Sequence, residues 1–170
     1  MKKHIILFFL LMNTVLAYSQ TNTIQILNFS SQNIQFKLIG ADVSEYDLDC
    51  QPVIQMTGFT ALPIGQSVIY SQYNTSHLVT PPIYTWHVIA DSVGGGDYVA
   101  NPSLGTTIPA VTSDVTEWRA IQISVNGGTT FFDIGRHCGG VGGIFTSPAG
   151  SPVTATWNTL ANGNVVIFVN

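Results

Sequence analysis

Thr116–Gly143 reads TEWRAIQISV, NGG, TTFFDIG and RHCGGVGG in succession. Two runs rich in β-branched and aromatic residues flank Asn126-Gly127-Gly128. Asn-Gly between such runs is a strong hairpin signal, because the turn that matches the strands' twist needs positive φ at both central residues. The second run passes into a glycine cluster, Gly139, Gly140, Gly142 and Gly143, that surrounds Cys138. This hairpin predicts an all-β architecture and names no reaction.

Strand patterns separated by turn residues recur on both sides of it, and no window carries sustained helical periodicity. Towards the N-terminus, Thr23–Phe29 alternates with Ile24, Ile26 and Asn28 on one side, and Ile34, Phe36 and Leu38 alternate with Gln35, Lys37 and Ile39. The polar turn Ser30-Ser31-Gln32-Asn33 between them predicts an N-terminal hairpin with one buried face. Pro52–Thr57 reads as a short strand, and Leu62-Pro63-Ile64-Gly65-Gln66 as a turn that launches Ser67–Tyr70. Ser71–Pro82 is loop-like. Ile83–Ala90 is a strand with Tyr84, Trp86 and Val88 on one face and Thr85 and His87 on the other. Val93–Gly96 is a bend, and Tyr98–Ser113 a long connection with one short strand near Thr106–Ile108. Towards the C-terminus, Ile144–Pro152 is a turn-rich link, and Val153–Asn158 and Asn164–Val169 form a final hairpin around Ala161-Asn162-Gly163. Eight or nine short strands without a helix predict one antiparallel β-sandwich over residues 20–170, jelly-roll-like or immunoglobulin-like, with a closed barrel as the alternative.

Residues 1–19 have the pattern of a secretory signal peptide: Lys2 and Lys3, the apolar run Ile5–Met12, and Ala17-Tyr18-Ser19 before a cleavage point. The run is short for a membrane anchor, which needs about 20 apolar residues. Removal of Lys2 and Lys3 takes the formal net charge from −4 to −6 and leaves Lys37, Arg119 and Arg136 as the only Lys or Arg residues. So few cations argue against nucleic acid and against anionic lipid as partners. Abundant Thr, Ser, Asn, Gln and Gly fit a neutral polar surface on an extracellular β-protein.

Cys50 and Cys138 are the two cysteines. In an oxidising compartment an even pair predicts a disulfide. The chain-entropy model gives about 4–5 kcal/mol for the long loop it would close. The alternative is a metal site that also uses His137, but adjacent His137 and Cys138 are poorly placed to ligate one ion, and no C-x-x-C is present.

The apolar leader, the motif Asn28-Phe29-Ser30-Ser31-Gln32-Asn33-Ile34, the turn Leu62-Pro63-Ile64-Gly65-Gln66-Ser67, and Thr156-Trp157 followed by Gly163-Asn164-Val165-Val166-Ile167 together give a resemblance. The chain resembles small secreted β-sandwich proteins of Bacteroidetes-type bacteria. The resemblance implies an extracellular or surface location and carries over no catalytic residue.

Three constellations are candidates for chemistry. Asp42, Glu45, Asp47 and Asp49 supply alternating hard oxygens of the kind calcium takes, without the glycine and distal Glu of an EF-hand; a solvated acidic loop is the plain alternative. Tyr73 beside Asn74 and His77, and Tyr98 beside Asp97 and Asn101, are expected to be exposed and to form a loop-borne sugar site. Trp86, Trp118 and Trp157 lie within strand patterns and are expected in the core. Arg136-His137-Cys138-Gly139-Gly140 invites a nucleophile reading, but Cys138 is expected to be oxidised and the glycines to let the chain turn tightly. No G-x-S-x-G and no H-E-x-x-H occurs. Asp91, Asp97, Asp114, Glu117 and Asp133 read as surface acids at strand ends, with a paired-carboxylate hydrolase as the alternative. The sequence therefore predicts a secreted, non-catalytic binding module for a glycan or cell-surface component. A self-associating envelope or matrix protein is the second expectation, and a small secreted hydrolase the third.

Overall fold

Strict alternation of β-branched or aromatic residues with short polar ones dictates half-buried strands, and the computed structural model contains them. It describes residues 22–42, 50–90, 96–125, 127, 130–137 and 144–170. The strands are β1 (Ile24–Asn28), β2 (Ile34–Ala41), β3 (Val53–Met56), β4 (Thr60–Leu62), β5 (Ser67–Tyr70), β6 (Trp86–Ile89), β7 (Tyr98–Ala100), β8 (Glu117–Val125), β9 (Thr130–Arg136), β10 (Ile144–Phe145), β11 (Ala155–Thr159) and β12 (Val165–Val169). One sheet has the order β11-β12-β1-β5. The other runs β10-β9-β8-β2-β3-β6-β7, with β4 also paired to β2. The result is an all-β, sandwich-like fold. The strand count exceeds eight or nine because β4, β7 and β10 are only two or three residues long.

The opening hairpin forms as the sequence predicts. β8 and β9 pair antiparallel from Ala120↔Gly135 to Val125↔Thr130. Val125 and Thr130 are the last partners among the described residues, and Gly127 between them has φ 76°. The closing hairpin of β11 and β12 also forms, from Ala155↔Val169 to Thr159↔Val165.

The N-terminal hairpin does not form. β1 pairs with β5 and, in parallel, with β12, whereas β2 lies in the other sheet against β3, β4 and β8. The two strands have the same burial alternation, and their apolar faces meet across the core instead of side by side. Asn28 shows why the chain leaves the first sheet at this point. Its side chain is fully buried, and its Nδ2 donates to Gln32 O, Leu62 O and Pro63 O at 2.9, 3.0 and 3.2 Å. Its Oδ1 accepts from the Ser30 backbone N–H at 3.2 Å and from Ser30 Oγ at 2.7 Å. One amide thus satisfies the backbone of two turns, and the chain crosses between sheets without stranding polar groups. The parallel β1–β12 pair is likewise a departure from a purely antiparallel sandwich.

The connections also differ in detail. Tyr84 is 55% exposed, because the strand begins only at Trp86; Pro81 and Pro82 remove backbone donors just before it. A 3₁₀ turn occupies Ser76–Leu78, another occupies Pro102–Leu104, and a four-residue helix spans Ala110–Ser113. Thr106 contributes a single bridge to Asn101 rather than a strand. No helix among the described residues is long and apolar enough to cross a membrane.

The core takes Ile24 and Ile26 of β1, Phe36 and Leu38 of β2, Tyr70 of β5, Trp86 and Val88 of β6, Ile121 and Ile123 of β8, and Ile167 of β12. Burial of each such side chain contributes about 1.5–3 kcal/mol. All three tryptophans are buried, as expected. Replacement of Asn28 by Ala is expected to cost about 2–4 kcal/mol in urea unfolding, because it strands buried carbonyls. The exposed amide change Asn158→Ala is expected to stay within about 0.5 kcal/mol, and equal losses for the two would refute the role given to Asn28.

Candidate functional site

One end of the sandwich carries a cleft of about 290 Å³. Its walls come from Asn22, two residues before β1, the segment after β5 (Ser71–Asn74), the short helix and the turn after it (Ala110, Ser113, Asp114, Thr116), and the start of β8 (Glu117, Trp118). The topology explains why these meet. β5 ends where antiparallel β1 begins, since Ile24 faces Tyr70, and in the other sheet Ala41 at the end of β2 faces Glu117 at the start of β8.

Tyr73 forms the floor. Its ring lies 5.1 Å from that of Trp86, edge-on at 82°, and 4.8 Å from that of Trp118 at 57°. Contacts of this kind are worth about 0.5–1.5 kcal/mol beyond burial. The register of β2 against β8 shifts between Ile39 and Gly40, and a β-carbon at Gly40 would overlap the Tyr73 hydroxyl. Glycine at the bulge therefore makes the notch that receives the phenol. Thr116 Oγ1 lies 3.2 Å from the Tyr73 hydroxyl, and Trp86 Nε1 donates to Tyr73 O at 3.1 Å. Burial pushes the phenols of Tyr70 and Tyr73 well above their ordinary value of 10.0, with the nearby Glu117 charge adding to the shift at Tyr73.

The inner polar groups of the cleft are occupied by the scaffold. Trp118 Nε1 donates to Asn22 O at 2.7 Å. Asn74 Nδ2 donates to Ile108 O at 2.9 Å, while its Oδ1 accepts from Ile108 N at 2.8 Å. Thr116 Oγ1 also donates to Ser113 O at 3.1 Å. The rim carries Ser71, Asp114 and Glu117. Asp114 is exposed, and Arg136 Nη1 donates to Glu117 Oε2 at 2.7 Å. Carboxylates only accept, and the Ser71 hydroxyl can donate or accept, so the rim is rich in acceptors above an aromatic floor.

The two halves of the expected sugar site separate. Tyr73 and Asn74 line the cleft, but Tyr73 is 6% exposed and is a floor rather than a platform, and Asn74 staples the following loop. The expectation of an exposed Tyr73 is therefore corrected: the Gly40 notch and two tryptophans take its ring inside. His77 sits half-buried in its 3₁₀ turn and does not line the cleft. Asp97 is exposed with Oδ2 3.9 Å from His87 Nε2, and Gln55 Nε2 lies 3.4 Å from His87 Nδ1. Tyr98 is half-buried on β7 opposite Val88 and packs against the core, and Asn101 Oδ1 accepts from Ser103 Oγ at 2.7 Å. None of these three lines the cleft either.

Of the acidic loop, Asp42 is described; Glu45, Asp47 and Asp49 lie outside the described residues. The Asp42 N–H reaches Cys50 O at 3.2 Å and Pro52 O at 3.3 Å, so the two ends of that loop meet at a neck. Among the described residues no three of His, Cys, Asp and Glu gather as a metal set. Cys50 is buried with φ 48°, and Cys138 lies outside the described residues. Asp114, Thr116 and Glu117 were readable only as a strand-end cluster beside Trp118. The fact that β5 and β8 meet at this end is not written in local pattern. Comparison with protein-family models, with curated proteins and with solved structures finds no match for this chain.

Because the folded state raises the Tyr70 and Tyr73 pKa values, their contribution to stability is whole below about pH 10 and is lost as pH rises through it. In Tyr73→Phe, alkaline denaturation is expected to begin at higher pH, with a loss near neutrality of about 1 kcal/mol from the missing hydroxyl contact. An unchanged alkaline midpoint would argue against a buried phenol.

Proposed function

We propose that the chain is an exported, non-catalytic binding module that takes a saccharide in the cleft above Tyr73 and Trp118. The observation that supports this reading is the cleft's division of labour. Its inner donors are committed to the scaffold, and its rim offers carboxylate and hydroxyl oxygens. A ligand rich in O–H donors and with an apolar face matches both layers. The cleft lies at the small end of the range for ligand sites, about 300–1,000 Å³, which suits one or two sugar rings better than a polymer groove.

Three further parts belong to the same proposal. Residues 1–19 act as a cleaved leader. A Cys50–Cys138 disulfide braces the cleft end: Cys50 lies at the neck beside the end of β2, and Cys138 follows Arg136, which pairs with Glu117 at the cleft rim. Asp42, Glu45, Asp47 and Asp49 would supply the oxygens for a calcium ion. Peptide mapping of exported protein without reductant is expected to yield a linked Cys50–Cys138 pair; two free thiols would exclude it.

A second reading, self-association, has one feature in its favour. The strands β11, β12, β1 and β5 contain no Asp, Glu, Lys or Arg, and Phe29 stacks on Phe168 at 6.2 Å beside them. The two readings part in one experiment on residues 20–170. A glycan panel, run with calcium and with chelator, is expected to show saturable binding. Asp114→Ala is expected to weaken that binding about tenfold or more, consistent with loss of a charge-assisted hydrogen bond, while Asp97→Ala, outside the cleft, leaves it unchanged. No binding under either condition, with assembly seen in sedimentation, would favour self-association instead.

A further inference from the structure

We infer that the cleft selects a saccharide bearing a free ammonium, a hexosamine unit, over its N-acetylated and its uronic acid counterparts. The inference rests on the saccharide-binding reading above and names the ligand class for that same cleft.

The ionised groups that line the cleft are Asp114 and Glu117, and no Lys or Arg lines it. The three cations outside the leader are placed elsewhere. Lys37 faces Gln122 in the middle of the β2–β8 ladder. Arg119 is partly buried, which lowers its pKa, with the Asp133 charge opposing that shift. Arg136 lies at the cleft's edge and offsets Glu117 alone, through an Nη1–Oε2 contact of 2.7 Å. Among the described residues Asp114 receives only a long side-chain contact from Ser113 Oγ at 3.5 Å and no cation pairs with it. Beneath it, Tyr73, Ile108 and Trp118 are buried, and this low-dielectric floor strengthens the field that an incoming cation meets.

Hydrogen-bond valence points the same way. Trp118 has committed its N–H to Asn22 O, and Asn74 has one N–H on Ile108 O. The other lining donors are neutral hydroxyls and amides, so among the described residues an acetamido carbonyl or a uronic carboxylate meets no cationic donor in the lining. An ammonium brings three donors and no acceptor, which is the complement of a carboxylate rim. An acetyl group would remove the charge, and a carboxylate would meet Asp114 with like sign.

The test is calorimetric titration of residues 20–170 with three oligosaccharides of equal length: glucosamine, N-acetylglucosamine and a uronic acid. A pH of about 6 keeps amines protonated and carboxylates ionised. The glucosamine oligomer is expected to bind about fivefold tighter than the acetylated one, corresponding to about 1 kcal/mol of charge attraction. The uronic oligomer is expected to bind weakest. The preference should shrink in about 1 M salt, where the Debye length falls to about 3 Å. In Asp114→Asn the affinities for the amino and acetylated oligomers should converge. Equal affinities in the wild-type chain, or a preference that survives Asp114→Asn, would overturn the inference and leave saccharide binding standing. Failure of all three oligomers and of the wider glycan panel would overturn both.

Discussion

The fit of the Tyr73 ring into the notch at Gly40 is the contact on which the cleft end of this sandwich depends. The phenol meets Trp86 and Trp118, both on the larger sheet, while Tyr73 itself arrives from the segment that follows β5 of the smaller sheet. Tyr73 thus ties the two sheets together at this end, beside the Trp118 Nε1 to Asn22 O bond. Its carbonyl accepts from the Trp86 indole, and its hydroxyl is matched by Thr116, so the ring has one placement rather than several. The Ser76 hydroxyl, 2.7 Å from Tyr73 O and 2.9 Å from Ile83 O, holds the 3₁₀ turn against the same cluster.

The physics that places Tyr73 inside also decides what the cleft offers to solvent. A buried aromatic cluster needs its polar edges satisfied, and the scaffold satisfies them: indole to backbone, amide to backbone, hydroxyl to hydroxyl. What remains for a ligand is whatever the folding requirement did not consume, here the carboxylates of Asp114 and Glu117 and the Ser71 rim. The functional surface is in this sense the remainder of the hydrogen-bond accounting. Its acidic character follows from a chain in which, among the described residues, Lys37 and Arg119 lie away from the cleft and Arg136 offsets Glu117 but not Asp114.

Most strands were legible because alternation is local. Ile24, Ile26 and Asn28, or Trp86 and Val88, declare a buried face from their spacing alone. Partner choice was not legible in the same way. β1 and β2 look like a hairpin because a polar turn separates them; spacing puts Asn28 on the buried face, but nothing in Ser30-Ser31-Gln32-Asn33 reveals that its amide will bond both turns and send the chain to the opposite sheet. Tyr73 failed as an exposed platform for a related reason. Beside Asn74 and His77 it reads as loop, whereas its burial is decided by Gly40, more than thirty positions away and at a bulge with no marker of its own. The cleft itself joins segments far apart in sequence, so only its ingredients, the acids beside Trp118, were visible beforehand.

The parallel pairing of β1 with β12 bears on the biogenesis of the chain. Ile24 lies against Val165, so β1 lacks one neighbour until β12 has been made. A nascent chain can assemble the β8–β9 hairpin from adjacent strands, but β1 must wait for β12 with one hydrogen-bonding edge open. Closure at such a sequence separation is slow because the loop entropy is spent before the contacts return it. In the export proposed above, a polypeptide passes a membrane unfolded, and this delay is useful. A sheet that closes only with β12 keeps the chain threadable until that strand arrives.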